Sequence, residues 1–99
     1  MTPAQLDLQP LRLVSYRTGK LSPRKRARFL REVDSYETRK RVGRKTYVVR
    51  KPGFLKEVGG WRVGRGAVVV PEESIEPFDE LLRRYGATRH IIAIWSQRP

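Results

Sequence analysis

A basic tract between Ser22 and Lys56 constrains this chain more than any other stretch. It reads Ser22-Pro23-Arg24-Lys25-Arg26-Ala27-Arg28, then Arg31, Arg39-Lys40-Arg41, Arg44-Lys45, Arg50-Lys51 and Lys56. Residues 1–56 hold sixteen Lys/Arg against four acids, whereas residues 57–99 hold six of each, so the whole formal charge of +12 sits in the first part. Segregated charge is the footprint of a polyanion partner, while evenly spread basicity would be a matter of composition alone.

The 99 residues suffice for one domain that buries about two-thirds of its unfolded surface. Leu, Ile, Val and Phe number 26, which clears the level of about 20% below which highly charged chains stay disordered. A folded protein with a small core and a large charged surface is expected. The chain has no cysteine, which rules out disulfides and thiolate metal sites. Met1–Pro10 lacks the basic start and apolar core of a secretory signal, and no apolar run approaches the ~20 residues that span a bilayer. A cytoplasmic protein that does not engage membranes is the resulting expectation.

Residues 1–10 read as an N-terminal tail that orders on contact, with Leu6 and Leu8 able to pack. Leu11 to Arg17 alternates as a strand, with Leu11 and Leu13 on one face and Val14 and Tyr16 on the other. Ser22-Pro23 then starts a helix, Ser as cap and Pro in the first turn where its missing N–H has no partner to lose. The spacing predicts that this helix runs to about Arg41, with Gly43 as its stop. Phe29, Val33 and Tyr36, flanked by Leu30, form its packing face; Arg24, Arg28, Arg31, Ser35 and Arg39 form a basic stripe opposite. Cations at positions 24, 25 and 26 oppose the helix dipole, which favours acids there by about 0.3–1 kcal/mol each. A role other than helix stability accounts for them.

Lys45 to Lys51 alternates as a strand, and Pro52-Gly53 marks a turn. Phe54 to Val58 and Trp61 to Val63 read as extended structure bent at Gly59-Gly60. Gly64-Arg65-Gly66 predicts a tight hairpin into the apolar run Ala67 to Val70. A second helix begins among Glu72, Glu73, Glu76, Asp79 and Glu80, presents Phe78, Leu81, Leu82 and Tyr85 at helical spacing, and ends with Arg83, Arg84 and Gly86. Thr88 to Ser96 is the last strand, apolar on both faces and so expected at the centre of its sheet; residues 97–99 form a short tail. The expected architecture is a single α+β domain over residues 11–96, a mainly antiparallel sheet of four to five strands with two helices in the order β-α-β-β-β-α-β.

Catalytic chemistry finds little support. With no cysteine and one histidine, a hydrolytic triad would rest on His90 alone, which reads as a partnered structural side chain. The acids from Glu72 to Glu80 could serve Mg²⁺ in a nuclease, but dipole complement and solubility explain them more simply. Glu32, Asp34 and Glu37 read as partners of Lys/Arg one turn away on the first helix. No cofactor, metal or catalytic residue is assigned. A metal-free ribonuclease toxin built on Arg, Lys and Tyr, with Tyr47, Arg50 and Arg62 as candidate parts and His90→Ala among the variants that test it, is the single enzymatic reading kept.

The sequence therefore points first to a nucleic-acid-binding protein, DNA or RNA, that engages phosphates with weak sequence specificity. Arg24, Lys25, Arg28 and Arg31 lie along the helix; Arg39, Arg41, Arg44, Lys45, Arg50 and Lys51 extend the surface. Trp61, Arg62 and Arg65, in a Gly-rich segment that admits close approach, are placed to touch bases. A second reading is a small phage or mobile-element regulator that docks the same basic face on an acidic host protein surface.

Overall fold

The computed structural model describes residues 7–97. Its elements run β1 (Gln9–Arg17), α1 (Pro23–Val33), β2 (Tyr36–Val42), β3 (Lys45–Lys51), α2 (Phe54–Val58), β4 (Trp61–Gly64), β5 (Ala67–Pro71), a 3₁₀ turn (Glu72–Ser74), α3 (Ile75–Tyr85) and β6 (Thr88–Ser96). This is a small α+β domain whose strands pair antiparallel throughout. Four strands form one sheet in the order β4-β5-β1-β6, and β2 and β3 form a separate two-stranded ribbon.

Register fixes which side chains share a face. Val14 lies between Val68 and Ile91, and Leu13 between Val69 and Ile92, so alternate residues of β1 belong to opposite faces. The Val14 face carries the core: Val14, Tyr16, Val68 and Val70 meet Phe29 and Val33 of α1, Leu55 of α2, and Phe78, Leu81 and Leu82 of α3. Phe29 is its hub, its ring edge-on to Tyr16 at 5.3 Å and to Tyr85 at 5.4 Å. Such edge-to-face pairs add about 0.5–1.5 kcal/mol beyond the area they bury.

Several expectations are corrected. Helix α1 ends at Val33, with Asp34 extended at its C-cap, and does not continue to Arg41; residues 36–42 are a strand. Gly43, the expected helix stop, instead turns β2 into β3 at a φ of 63°. A two-residue hairpin turn of type II′ calls for glycine at that first position. Phe54–Val58 is a short helix between Gly53 and Gly59, in which one turn buries Leu55 and packs Phe54 partly against the core. Strand β6 is an edge strand, because β1 takes the place beside β5. Gln9 and Pro10, assigned to the tail, already belong to β1. Leu8 is exposed, and Leu6 lies outside the described residues, as do residues 98 and 99 of the C-terminal tail. Among the described residues no helix is long and apolar enough to cross a membrane.

Candidate functional site

The β2–β3 ribbon gathers seven of the chain's 22 Lys/Arg and gives none of them to the core. Within Tyr36–Lys51 stand Arg39, Lys40, Arg41, Arg44, Lys45, Arg50 and Lys51 against the single acid Glu37. All its strand residues are exposed except Tyr36 and Val49, which are half-buried. A hairpin this polar cannot be held to the body by apolar burial; its own ladder and its root must hold it. At the root the Gly53 N–H donates to Ser35 Oγ at 3.3 Å. A Cβ on Gly53 would stand 2.4 Å from the Asp34 carbonyl carbon and 2.6 Å from the Val33 carbonyl oxygen. Glycine there lets the ribbon's exit strand pass directly against the end of α1.

The register sorts the two cation types. Tyr36 faces Lys51, Lys40 faces Tyr47 and Val42 faces Lys45, which puts the three lysines on one face with both tyrosines. Glu37 faces Arg50, Arg39 faces Val48 and Arg41 faces Thr46, which puts three arginines on the other; Arg44 sits at the tip. One ion pair crosses the ribbon, Arg50 Nε to Glu37 at 2.9 Å, with both partners well exposed. Seven-residue strands reach about 23 Å. The molecule measures 60 × 35 × 20 Å, and its radius of gyration of 16.5 Å exceeds the ~13 Å of a compact domain of this length. A projecting arm accounts for the difference.

Helix α1 brings a second set. Arg24, Lys25, Arg28 and Arg31 are exposed, and the Arg31 guanidinium lies 5.8 Å from the Tyr36 ring centroid, which ties the end of the helical stripe to the root of the ribbon. Arg31, Tyr36 and Lys51 line an open cleft of about 460 Å³ there, shared with the acids Glu32, Glu57 and Glu80. Arg26 turns inward, donating to the carbonyl oxygens of Thr18 at 3.3 Å and Leu21 at 3.5 Å. Cations at the start of α1 therefore divide into one that holds the preceding loop and others that face water.

Trp61, Arg62 and Arg65 are not brought together. Trp61 is half-buried on the sheet face away from the helices, opposite Val69, and Arg65 is exposed in the β4–β5 turn. Arg62 lies on the helix face and is fully engaged: it donates to Asp34 at 2.8 and 3.0 Å, to the Tyr16 hydroxyl at 2.7 Å and to the Gly64 carbonyl at 3.1 Å. Partial burial works against its charged form, but the bonds to Asp34 and Tyr16 outweigh that, and its pKa stands above the ordinary arginine value. The acids also find partners other than those expected. Asp34 pairs with Arg62, Glu37 with Arg50 across the ribbon, and Glu32 lies 3.9 Å from Arg84 of α3. His90, expected to be a partnered structural side chain, is exposed on β6 opposite Ser15. Among the described residues no three His, Cys, Asp or Glu side chains are grouped to hold a metal.

Lys40 belongs to the same surface and was missed by sequence reasoning, because a strand at 36–42 was not foreseen. Its signal was the strand-favouring set of aromatic Tyr36 and β-branched Thr38 and Val42, set opposite the strand 45–51 around Gly43-Arg44. Comparison with protein-family models, with curated proteins and with solved structures finds no match to this chain, and the ribbon's own geometry carries the functional reading.

Proposed function

We propose that this protein binds nucleic acid, with the β2–β3 ribbon as its principal contact and the exposed cations of α1 as a second one. The observation that carries the reading is an exposed ribbon with seven Lys/Arg, one acid and no part in the core. A surface this basic attracts a partner of opposite charge and speeds its encounter. A two-stranded ribbon also has the dimensions of the DNA major groove, about 12 Å wide, and its two faces would present cations to both flanking backbones. Tyr36 at the root and Thr38, Thr46 and Tyr47 along the strands are its uncharged polar side chains, a sparse set for reading base edges, so weak sequence specificity follows.

Fluorescence anisotropy of labelled duplex DNA, duplex RNA and single-stranded RNA, titrated across a range of salt concentrations, tests this. Duplex DNA should bind with log K falling steeply against log salt, by about 0.9 per phosphate neutralised. Arg41→Ala with Lys45→Ala, at exposed positions near the tip, should lower that slope by about 2 and leave the circular dichroism spectrum unchanged. Absence of binding to every nucleic acid at low salt would overturn the reading and turn attention to an acidic protein surface.

A further inference from the structure

The two edges of the four-stranded sheet are built differently. Strand β4 is four residues long, ends in glycine and breaks register between Arg62 and Gly64. Short length and a bulge are the ordinary ways of closing an edge to further pairing. Strand β6 has none of these protections: nine residues, no Pro, Lys or Gly, and unbroken register along its whole length against β1. Six of the nine are exposed, and among them Ile92 is 45% and Trp95 68% accessible. A long regular edge rich in isoleucine is a template for another strand.

We propose that β6 pairs antiparallel with β6 of a second copy of this chain, about a two-fold axis through Ile92, joining the two sheets into one of eight strands. The centre of Thr88–Ser96 is Ile92, so the register that uses all nine residues is also the symmetric one. It sets Thr88 opposite Ser96, Arg89 opposite Trp95, His90 opposite Ile94, Ile91 opposite Ala93, and Ile92 opposite itself. No two like charges face each other, and the most exposed aromatic meets a cation. Arg89 is already oriented by Asp79 of α3.

The apolar row Trp61, Val69, Leu13, Ile92, which ends abruptly at the sheet edge, would continue through Ile92 of the second copy into the same row reversed. The edge itself carries little net charge, because Arg89, its one Lys/Arg, is paired with Asp79 and the excess of +12 lies elsewhere, in residues 1–56. Alternating outward N–H and C=O groups along nine residues would close about eight to ten new ladder hydrogen bonds.

Sedimentation equilibrium on nuclease-treated protein in high salt removes any nucleic acid that could bridge two copies, so its outcome is independent of the binding activity proposed above. The expected mass is twice that of the 11.5 kDa chain, returning to the single-chain value in Ile92→Lys with an unchanged circular dichroism spectrum. The absence of native cysteine permits a register test in the same samples. Facing residues in an antiparallel pair lie about 4.5–5.5 Å apart at Cα, within disulfide range. Ile92→Cys should therefore cross-link to itself on oxidation. Ser96→Cys alone should not, since its counterpart is about 27 Å away, whereas Ser96→Cys mixed with Thr88→Cys should. A single-chain mass throughout the soluble concentration range overturns the proposal, as does a dimer that survives Ile92→Lys or cross-links in another register.

Discussion

Arginines in this chain perform two kinds of work, and local surroundings decide which. Arg62 has a carboxylate, a phenol and a carbonyl around one guanidinium, joining β4 to the end of α1 and to the core residue Tyr16. Removing it leaves three acceptors without a donor beside the domain's main core. With about a third of the Arg62 and Asp34 side chains exposed, solvent screens the pair, so Arg62→Ala should destabilise the fold by only about 1–2 kcal/mol. Urea denaturation would read this as a lower midpoint at constant slope. Tyr16→Phe should cost less, and the double variant should lose less than the sum, because both act on one network. Arg65→Ala, in an exposed turn, should leave the midpoint where it is. Nothing in the sequence separates Arg62 from Arg65: both stand in one Gly-rich basic segment, and the distinction arises from Asp34, 28 residues earlier in the chain.

At the scale of elements, α1 keeps the conflict visible in its sequence. Its first turn carries no acid, although Ser22 Oγ already accepts the Lys25 N–H at 3.2 Å. Lys25→Glu would complete a reciprocal cap, the new carboxylate reaching back to the Ser22 N–H while also favouring the dipole. The expected gain is about 0.5–1 kcal/mol, or a rise in Tm of several degrees for a domain of this size. Differential scanning calorimetry measures it; an unchanged or lower Tm would mean that Lys25 has a structural role its exposure does not reveal. Strands β3 and β6 were legible at their observed bounds, because period-two alternation is a local property. Strand β2 was not, because Thr38-Arg39-Lys40-Arg41 has no apolar face for a period to act on, and a glycine after it serves equally as helix stop or hairpin turn. The edge position of β6 was hidden for another reason. Isoleucines on both faces point to a central position, whereas in the fold β6 lies at the edge with Ile92 exposed.

The whole molecule divides into a body that contains the entire core and an arm that contains none of it. That division predicts independence. Residues Tyr36 and Lys51 face each other across the root, so residues 37–50 can be replaced by Asn-Gly, a two-residue hairpin turn suited to adjoining strand ends. The replacement removes six Lys/Arg and one Glu and lowers the formal charge from +12 to +7. No buried side chain is lost, so the shortened protein should melt within a few degrees of the full chain. Its affinity for duplex DNA should nevertheless fall far more than a proportionate loss of charge would give, because what remains is dispersed over the body. Anisotropy titrations of the two proteins at matched salt make the comparison. If the body alone binds as tightly and with the same salt slope, α1 is the interface and the arm is not. Gly53→Ala offers the complementary perturbation: it leaves every cation in place but forces the arm's root away from the Val33 and Asp34 carbonyls. Reduced affinity in that variant, at unchanged net charge, would show that binding depends on where the arm points as well as on how much charge it carries.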